Sequence, residues 1–268
     1  MKTYARALTI AGSDSGGGAG IQADLKTFAA LGCYGMSVLT ALTAQNTQAV
    51  TGIFPVSPAF IAEQLKAVLS DIGVDAVKIG MLHSPDVIQQ VAKTVTEFGV
   101  TNIVLDPVMV AKSGDKLLQD EAIEALKSCL LPIASVITPN LPETGALLGR
   151  PVETPADMEQ AARELSRFCP GAILVKGGHL ATEESADLLR LPTGEHHWFS
   201  TKRITTENSH GTGCTLSSAI AAGLAKGLPV VEAVSAAKNY LTLALQAGAV
   251  YRLGQGHGPV HHFFNVWQ

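Results

Sequence analysis

The feature that most constrains the fold is an alternation of short, almost continuously apolar runs with longer amphipathic ones. The runs 7–12, 36–42, 76–80, 102–107, 135–139 and 171–176 carry few polar residues. Such runs are expected of strands covered on both faces, as in a parallel sheet. The segments between them read as helices with marked starts. Ser57-Pro58 precedes Ile61, Leu65, Val68, Leu69 and Ile72. Ser84-Pro85 precedes Val87, Ile88, Val91, Val95 and Phe98, and Thr154-Pro155 precedes Met158, Ala161, Ala162, Leu165 and Phe168. In each, a hydroxyl residue stands at the cap and Pro at the first helical position. Strand–helix alternation predicts right-handed βαβ units and an open, mostly parallel sheet. The rhythm breaks at 185–205, where two β-type runs flank Pro192-Thr193-Gly194-Glu195 and predict an edge hairpin. Two helices are expected after it, at about 213–226 and 230–248. No repeat or linker divides the chain, so one domain over residues 1–268 is expected.

Composition narrows the function. The 268 residues are 47% hydrophobic and 16% charged, with a net charge of −4 and no long run of like charge. That argues against nucleic acid or an anionic membrane as main partner. Cys33, Cys129, Cys169 and Cys214 are scattered and form no C-x-x-C pair. They read as reduced thiols, with the cytoplasm as expected location. No apolar stretch has transmembrane length, and the N-terminus does not read as a signal peptide.

The candidate chemistry centres on Asn208-Ser209-His210-Gly211-Thr212-Gly213-Cys214-Thr215, a glycine-rich turn entering a helix. Unpaired N–H groups and the helix dipole make such a terminus an anion site, and Gly211 and Gly213 permit close approach. Cys214 falls in the first turn, where a lowered thiol pKa is expected. The alternative is an ordinary helix start with a small core cysteine. A second glycine-rich stretch, Gly12-Ser13-Asp14-Ser15-Gly16-Gly17-Gly18-Ala19-Gly20, follows the first strand. Its Gly18-to-Ala23 window has the dinucleotide spacing but lacks the acid that would hold a ribose, and no P-loop occurs. Asp106 ends the fourth run, and Asn140 and Glu143 follow the fifth. This oxygen-rich set suits Mg²⁺. Helix capping by Asn140 and a solvated Glu143 are the alternative. Lys176 ends the sixth run beside Gly177-Gly178-His179. The pairs His196-His197 and His261-His262 read as surface residues, whereas His210 adjoins the anion turn.

Together these segments resemble the ribokinase-like superfamily, and within it the hydroxymethylpyrimidine/phosphomethylpyrimidine kinases of thiamine biosynthesis. The resemblance rests on residues 10–24, Asp106-Pro107-Val108-Met109, Thr138-Pro139-Asn140 with Glu143, 175–179 and 210–215, in order along nearly the whole chain. It implies a three-layer α/β sandwich, a homodimer, ATP and Mg²⁺, and two successive phosphorylations of 4-amino-5-hydroxymethyl-2-methylpyrimidine. Carried over by position, Gly12, Ala19, Gly20, Asp24, Gln45, Met81 and Val108 would form the pyrimidine pocket. Asp106 and Glu143 would serve the metal, and Asn140, Lys176 and Thr212 the ATP. The N–H groups of 211–214 would cradle the transferring phosphoryl group, with Lys238 a second cation. Cys214 stands where sugar kinases of this superfamily have an Asp, and would be the base. Other readings are a pyridoxal kinase of the same superfamily, a cysteine hydrolase pairing Cys214 with His210, a ligand sensor without turnover, and an NAD oxidoreductase. The 186–204 hairpin could be lid, dimer interface or edge cover.

Overall fold

The computed structural model describes residues 2–109, 121–178, 180 and 183–267. His179 therefore lies outside the described residues. One nine-stranded sheet crosses the molecule in the order β3-β2-β1-β4-β5-β6-β7-β8-β9. Its strands are β1 (Arg6–Asp14), β2 (Tyr34–Gln45), β3 (Val50–Pro55), β4 (Ala76–Ile79), β5 (Ile103–Leu105), β6 (Val136–Ile137), β7 (Ala172–Lys176), β8 (Glu184–Arg190) and β9 (His196–Lys202). Strands β2, β1 and β4 to β7 run parallel, whereas β3, β8 and β9 join antiparallel at the two edges. Each apolar run predicted as a strand is one. The 185–205 hairpin is β8–β9, in register from Glu184 opposite Lys202 to Arg190 opposite His196.

Helices cover both faces, as the family resemblance implies. They are α1 (Gly20–Ala30), α2 (Pro58–Asp71), α3 (Pro85–Glu97), α4 (Ala122–Ala125), α5 (Leu141–Leu148), α6 (Pro155–Leu165), α7 (Thr212–Ala225) and α8 (Val230–Gly248). The period-2 alternation of each strand divides its side chains between two cores. Leu8, Ile10, Ile79, Ile173 and Val175 pack under α2, α3 and α6. Ala7, Ala76, Val104, Ala172 and Leu174 pack against Phe28 of α1 and against α7 and α8. Helix α7 is buried almost all round, from Thr215 to Leu224. Its small residues allow this: a Cβ on Gly223 would come within 2.9 Å of that of Ala233 on α8. Among the described residues no helix is long and apolar enough to cross a membrane.

Local chemistry accounts for the helix starts, with one correction. The Ser57 hydroxyl accepts from the Phe60 N–H. Thr154 and Asp157 cap α6 reciprocally. Ser84 makes no side-chain cap, so α3 begins on Pro85 with Asp86 against the helix dipole. Strand β3 and the helical stretch 122–133 were not expected from the sequence. The surface reading also fails for His262. It is buried, its Nε2 lies 3.0 Å from the Thr215 hydroxyl, and burial pushes its pKa down to about 3.

Candidate active site

The chain passes from β1 through α1 to β2 on one side of β1, then reaches β4 on the other. A crevice opens at the carboxyl ends of strands where direction reverses in this way. Here it is a cavity of about 1070 Å³. Of the residues singled out from sequence, Gly12, Ala19, Gly20, Gln45, Met81, Val108, Asp106, Asn140, Glu143, Lys176, Gly211, Thr212, Gly213, Cys214 and Lys238 all line it. Asp24 does not.

Two glycine turns meet in the crevice. Gly20 has φ +55° and a Cβ there would collide with the Gly12 carbonyl. Gly211 has φ +78° and a Cβ would collide with the Gly18 carbonyl. Both positions are therefore restricted to glycine by conformation and by contact. The first N–H groups of α7 have no partner inside their helix and open into the cavity.

Beside this terminus stands a charge cluster. Lys176 Nζ lies 2.7 Å from Asp106 Oδ1 and 3.9 Å from Glu143 Oε2. A Cβ on Gly213 would be 3.4 Å from Lys176 Nζ and 3.5 Å from Asp106 Oδ2, so the helix start touches the ion pair. Thr138 and Ser217 also donate to Asp106, at 3.1 and 3.3 Å. Burial pushes the Asp106 carboxyl up, but Lys176 and Lys78 outweigh it and hold it below the usual range. Glu143 differs. Burial, with Asp106 adding to it, pushes its carboxyl up to about 7 despite Lys176. Asn140 and Glu143 form a reciprocal cap on α5, with bonds of 2.9 and 2.7 Å. The capping alternative is thus correct for Asn140, while Glu143 is buried rather than solvated.

Three placements correct the sequence reading or add to it. Asp24 is fully buried and accepts from Lys78 Nζ at 2.9 and 2.8 Å, from Thr9 at 2.6 Å and from Ser218 at 2.7 Å. It carries the buried Lys78, and Lys78 rather than Asp24 lines the cavity. Sequence reasoning missed Lys78, although a lysine inside the apolar run Ala76-Val77-Lys78-Ile79 is a signal in itself. Cys214 reverses the expected shift. Burial pushes its thiol up to about 11, helped by Asp24 and Asp106 and opposed by Lys78 and the Gly20 N–H. The helix terminus is outweighed because the protein packed around the half-buried Cys214 disfavours a charged sulfur and two carboxylates add to that. Lys238 is already paired, 2.7 Å from Asp187 Oδ2 and 3.2 Å from the Ser185 hydroxyl.

Asp14 lies within the first glycine-rich stretch. Its carboxylate accepts from the N–H groups of Gly16, Gly18 and Ala19 at 2.8, 3.0 and 2.8 Å. It also lies 2.9 Å from His210 Nε2. Burial raises its pKa, but His210 and the Ala19 and Gly16 N–H groups bring it below the usual range. His210 thus pairs with Asp14 and not with Cys214, which leaves a cysteine nucleophile without its base.

This arrangement can hold an anion on backbone N–H groups, place a lysine beside it, and offer an apolar pocket opposite. The family described as phosphomethylpyrimidine kinase matches residues 14–261. The chain is 53% identical to the hydroxymethylpyrimidine/phosphomethylpyrimidine kinase of Rhizobium meliloti over 98% of each chain. It is 50% identical to the Escherichia coli enzyme of that name over 97% of this chain and 98% of that one. Among solved structures, Bacillus subtilis pyridoxal kinase with ADP superimposes with a TM-score of 0.90 at 40% identity, covering 98% of this chain and 100% of that one. With the profile match running almost end to end and half of the residues shared with such relatives, the chain belongs to the phosphomethylpyrimidine kinase family.

Proposed function

We propose that this chain transfers the γ-phosphoryl group of ATP to the hydroxymethyl group of 4-amino-5-hydroxymethyl-2-methylpyrimidine, and then to the resulting monophosphate, supplying thiamine biosynthesis. The observation that carries the reading is the position of the α7 terminus. It lies between the Lys176–Asp106–Glu143 cluster and the pocket of Gly12, Gln45 and Met81. A phosphoryl group there would bridge donor and acceptor.

Phosphoryl transfer is catalysed mainly by alignment and charge stabilisation. The N–H groups of 211–214 would meet the equatorial oxygens, and Lys176 would leave Asp106 to contact them. Asn140 and Thr212 would touch the nucleotide, and Lys238 its phosphates once drawn from Asp187. Gly12, Ala19, Gly20, Met81 and Val108 would enclose the ring and Gln45 would read its edge. Cys214 would sit beside the reacting hydroxyl as a thiol, since its raised pKa keeps it protonated near neutral pH.

The donor set fits Mg²⁺. Two buried carboxylates share one lysine, and the raised Glu143 marks a site short of positive charge. Asp106 and Glu143 would hold the ion, which when bound neutralises phosphate charge. Among the described residues no group of three or more His, Cys, Asp or Glu could hold a metal. Phosphate and water would therefore complete the shell. We also infer a single kinase domain, supported by the continuous sheet, and a cytoplasmic location, supported by four free cysteines. A homodimer is supported by the exposed Leu42 and Phe54, which face each other across β2 and β3.

A second reading, phosphorylation of pyridoxal, is favoured by the 0.90 superposition on a pyridoxal kinase. Side-by-side assays of ADP release with hydroxymethylpyrimidine and pyridoxal, followed by separation of mono- and diphosphate, test both. A diphosphate product is expected from the pyrimidine, and its absence would defeat the proposed second step.

A further inference from the structure

The half-buried Gln45 amide sits between two groups of defined hydrogen-bonding character. Its Oε1 end lies 3.0 Å from the Thr43 hydroxyl oxygen and its Nε2 end 3.4 Å from His210 Nε2, labels that exchange when the amide turns over. The heavy atoms fix the plane of an amide, and the surrounding hydrogens decide which end is oxygen.

The His210 side has one solution. Nε2 lies 2.9 Å from Asp14 Oδ2, and Asp14 already accepts three backbone N–H bonds. A carboxylate so placed needs a donor, so Nε2 carries the proton. That proton is directed at Asp14, and a protonated Nε2 keeps no lone pair in the ring plane to accept from an NH₂, so the amide end facing it is the carbonyl. The Thr43 side leads to the same orientation. The Thr43 Oγ lies 2.8 Å from the Ser13 carbonyl, and its single proton goes to that acceptor. Its remaining lone pairs then face the amide NH₂. The imidazole is itself held, because it packs on Gly18, where a Cβ would collide with it. The His210 backbone N–H also donates to the Gly258 carbonyl at 3.0 Å.

We propose that Asp14, His210 and Thr43 lock the Gln45 amide in one orientation, carbonyl toward His210 and NH₂ toward Thr43, and that His210 is thereby a specificity-determining, positioning residue. This rests on the reading of Gln45 as the group that meets the pyrimidine edge. A locked amide offers one carbonyl lone pair and one N–H to the cavity. That pair complements a ring nitrogen beside an exocyclic amino group, which presents acceptor and donor. It mismatches the 4-oxo analogue, in which ring N–H and carbonyl present donor and acceptor. An amide free to turn would accept either ring.

The test compares kcat/KM for the 4-amino substrate and its 4-oxo analogue in the wild type, His210→Phe and Thr43→Val. Phe keeps the ring packed on Gly18 and removes the N–H. The wild type is expected to prefer the amino compound by about tenfold to a hundredfold, the cost of mispairing a buried group. His210→Phe should reduce that preference at least tenfold, chiefly through KM, and Thr43→Val should reduce it less. An unchanged preference in either folded variant overturns the proposal. Should both variants fail to fold, the ¹⁵N shift of His210 Nε2 in the wild type decides. A protonated, pyrrole-type nitrogen supports the lock and a bare, pyridine-type nitrogen overturns it. If the wild type does not turn over the amino compound at all, the substrate reading falls and takes this inference with it. Intact turnover with unchanged preference removes only this inference.

Discussion

Two stretches of this chain use the same device and end differently. Residues 12–20 and 208–215 are both glycine-rich turns leading into a helix start, α1 in one case and α7 in the other. In the first turn the N–H groups of Gly16, Gly18 and Ala19 are taken by Asp14, a carboxylate of the turn itself. The second turn contains no carboxylate, and its helix start faces the cavity beside Lys176. The first is an anion nest already filled from within. The second has no side-chain cap, and the proposed phosphoryl group would take that place. A glycine-rich helix start is therefore a phosphate site only when no side chain of its own completes it.

The largest expected effect tests the open turn. Gly211→Ala places a Cβ at φ +78° and against the Gly18 carbonyl. The left-handed conformation alone costs about 1–2 kcal/mol. The displaced N–H groups should lower kcat by about 10²–10³, as loss of a charge-stabilising donor does elsewhere. Steady-state kinetics on protein with a native circular dichroism spectrum would measure it. A folded variant with normal kcat would mean that the α7 terminus does not hold the transferring group.

Asp14→Asn tests the filled turn. It exchanges charge-assisted bonds for weaker ones, at a cost of about 1.5–3 kcal/mol. Denaturant unfolding should report the loss, and the pyrimidine KM should rise while kcat changes little. A fall in kcat as large as that of Gly211→Ala, with unchanged KM, would erase the distinction between the two turns. Asp14 has a lowered folded-state pKa, so its contribution is present above the unfolded value near 4 and is lost as pH falls further.

The comparison also shows what could be read before the structure. Apolar runs revealed the six buried strands, because burial on both faces leaves a one-dimensional pattern. Strand β3 escaped because Val50-Thr51-Gly52-Ile53-Phe54-Pro55 has neither alternation nor a continuous apolar core. The site residues were legible as types at strand ends, but their pairings were not. Asp24 and Lys78 are 54 positions apart and Asp14 and His210 are 196 apart. Only the fold decides that Asp24 faces a buried lysine instead of a ring. His262 illustrates the same point, since nothing in Val260-His261-His262-Phe263 says which imidazole turns inward.

That buried imidazole gives the next prediction. His262 supports the open turn from below through Thr215. Its pKa is about 3 folded, against an unfolded value near 6.5. Between these values the unfolded chain binds the extra proton, so stability is complete above pH 6.5 and declines as pH falls. The slope is about 1.4 kcal/mol per pH unit, or about 2 kcal/mol lost at pH 5. His262→Gln should flatten this acid limb in melts between pH 7 and pH 5, at some cost in stability at pH 7. An equally steep limb in the variant would mean that another group titrates.

The smallest effect is expected at the residue that sequence alone made most prominent. Cys214 lies in the first turn of α7, yet its thiol is pushed up to about 11. At pH 7 about one molecule in ten thousand would carry the thiolate. A base so scarce would make kcat rise tenfold per pH unit well past pH 9. If positioning carries the reaction instead, kcat should vary little from pH 7 to pH 9. Cys214→Ala should then keep kcat within about tenfold, with the charge cluster and N–H groups intact. Parallel pH profiles of the wild type and Cys214→Ala decide between the two. A steep wild-type rise that the variant lacks would make the thiolate the base after all, acting with the raised pKa that its site gives it. A flat profile in both would locate the catalytic contribution of this turn in its backbone, where it differs from the turn that Asp14 has filled.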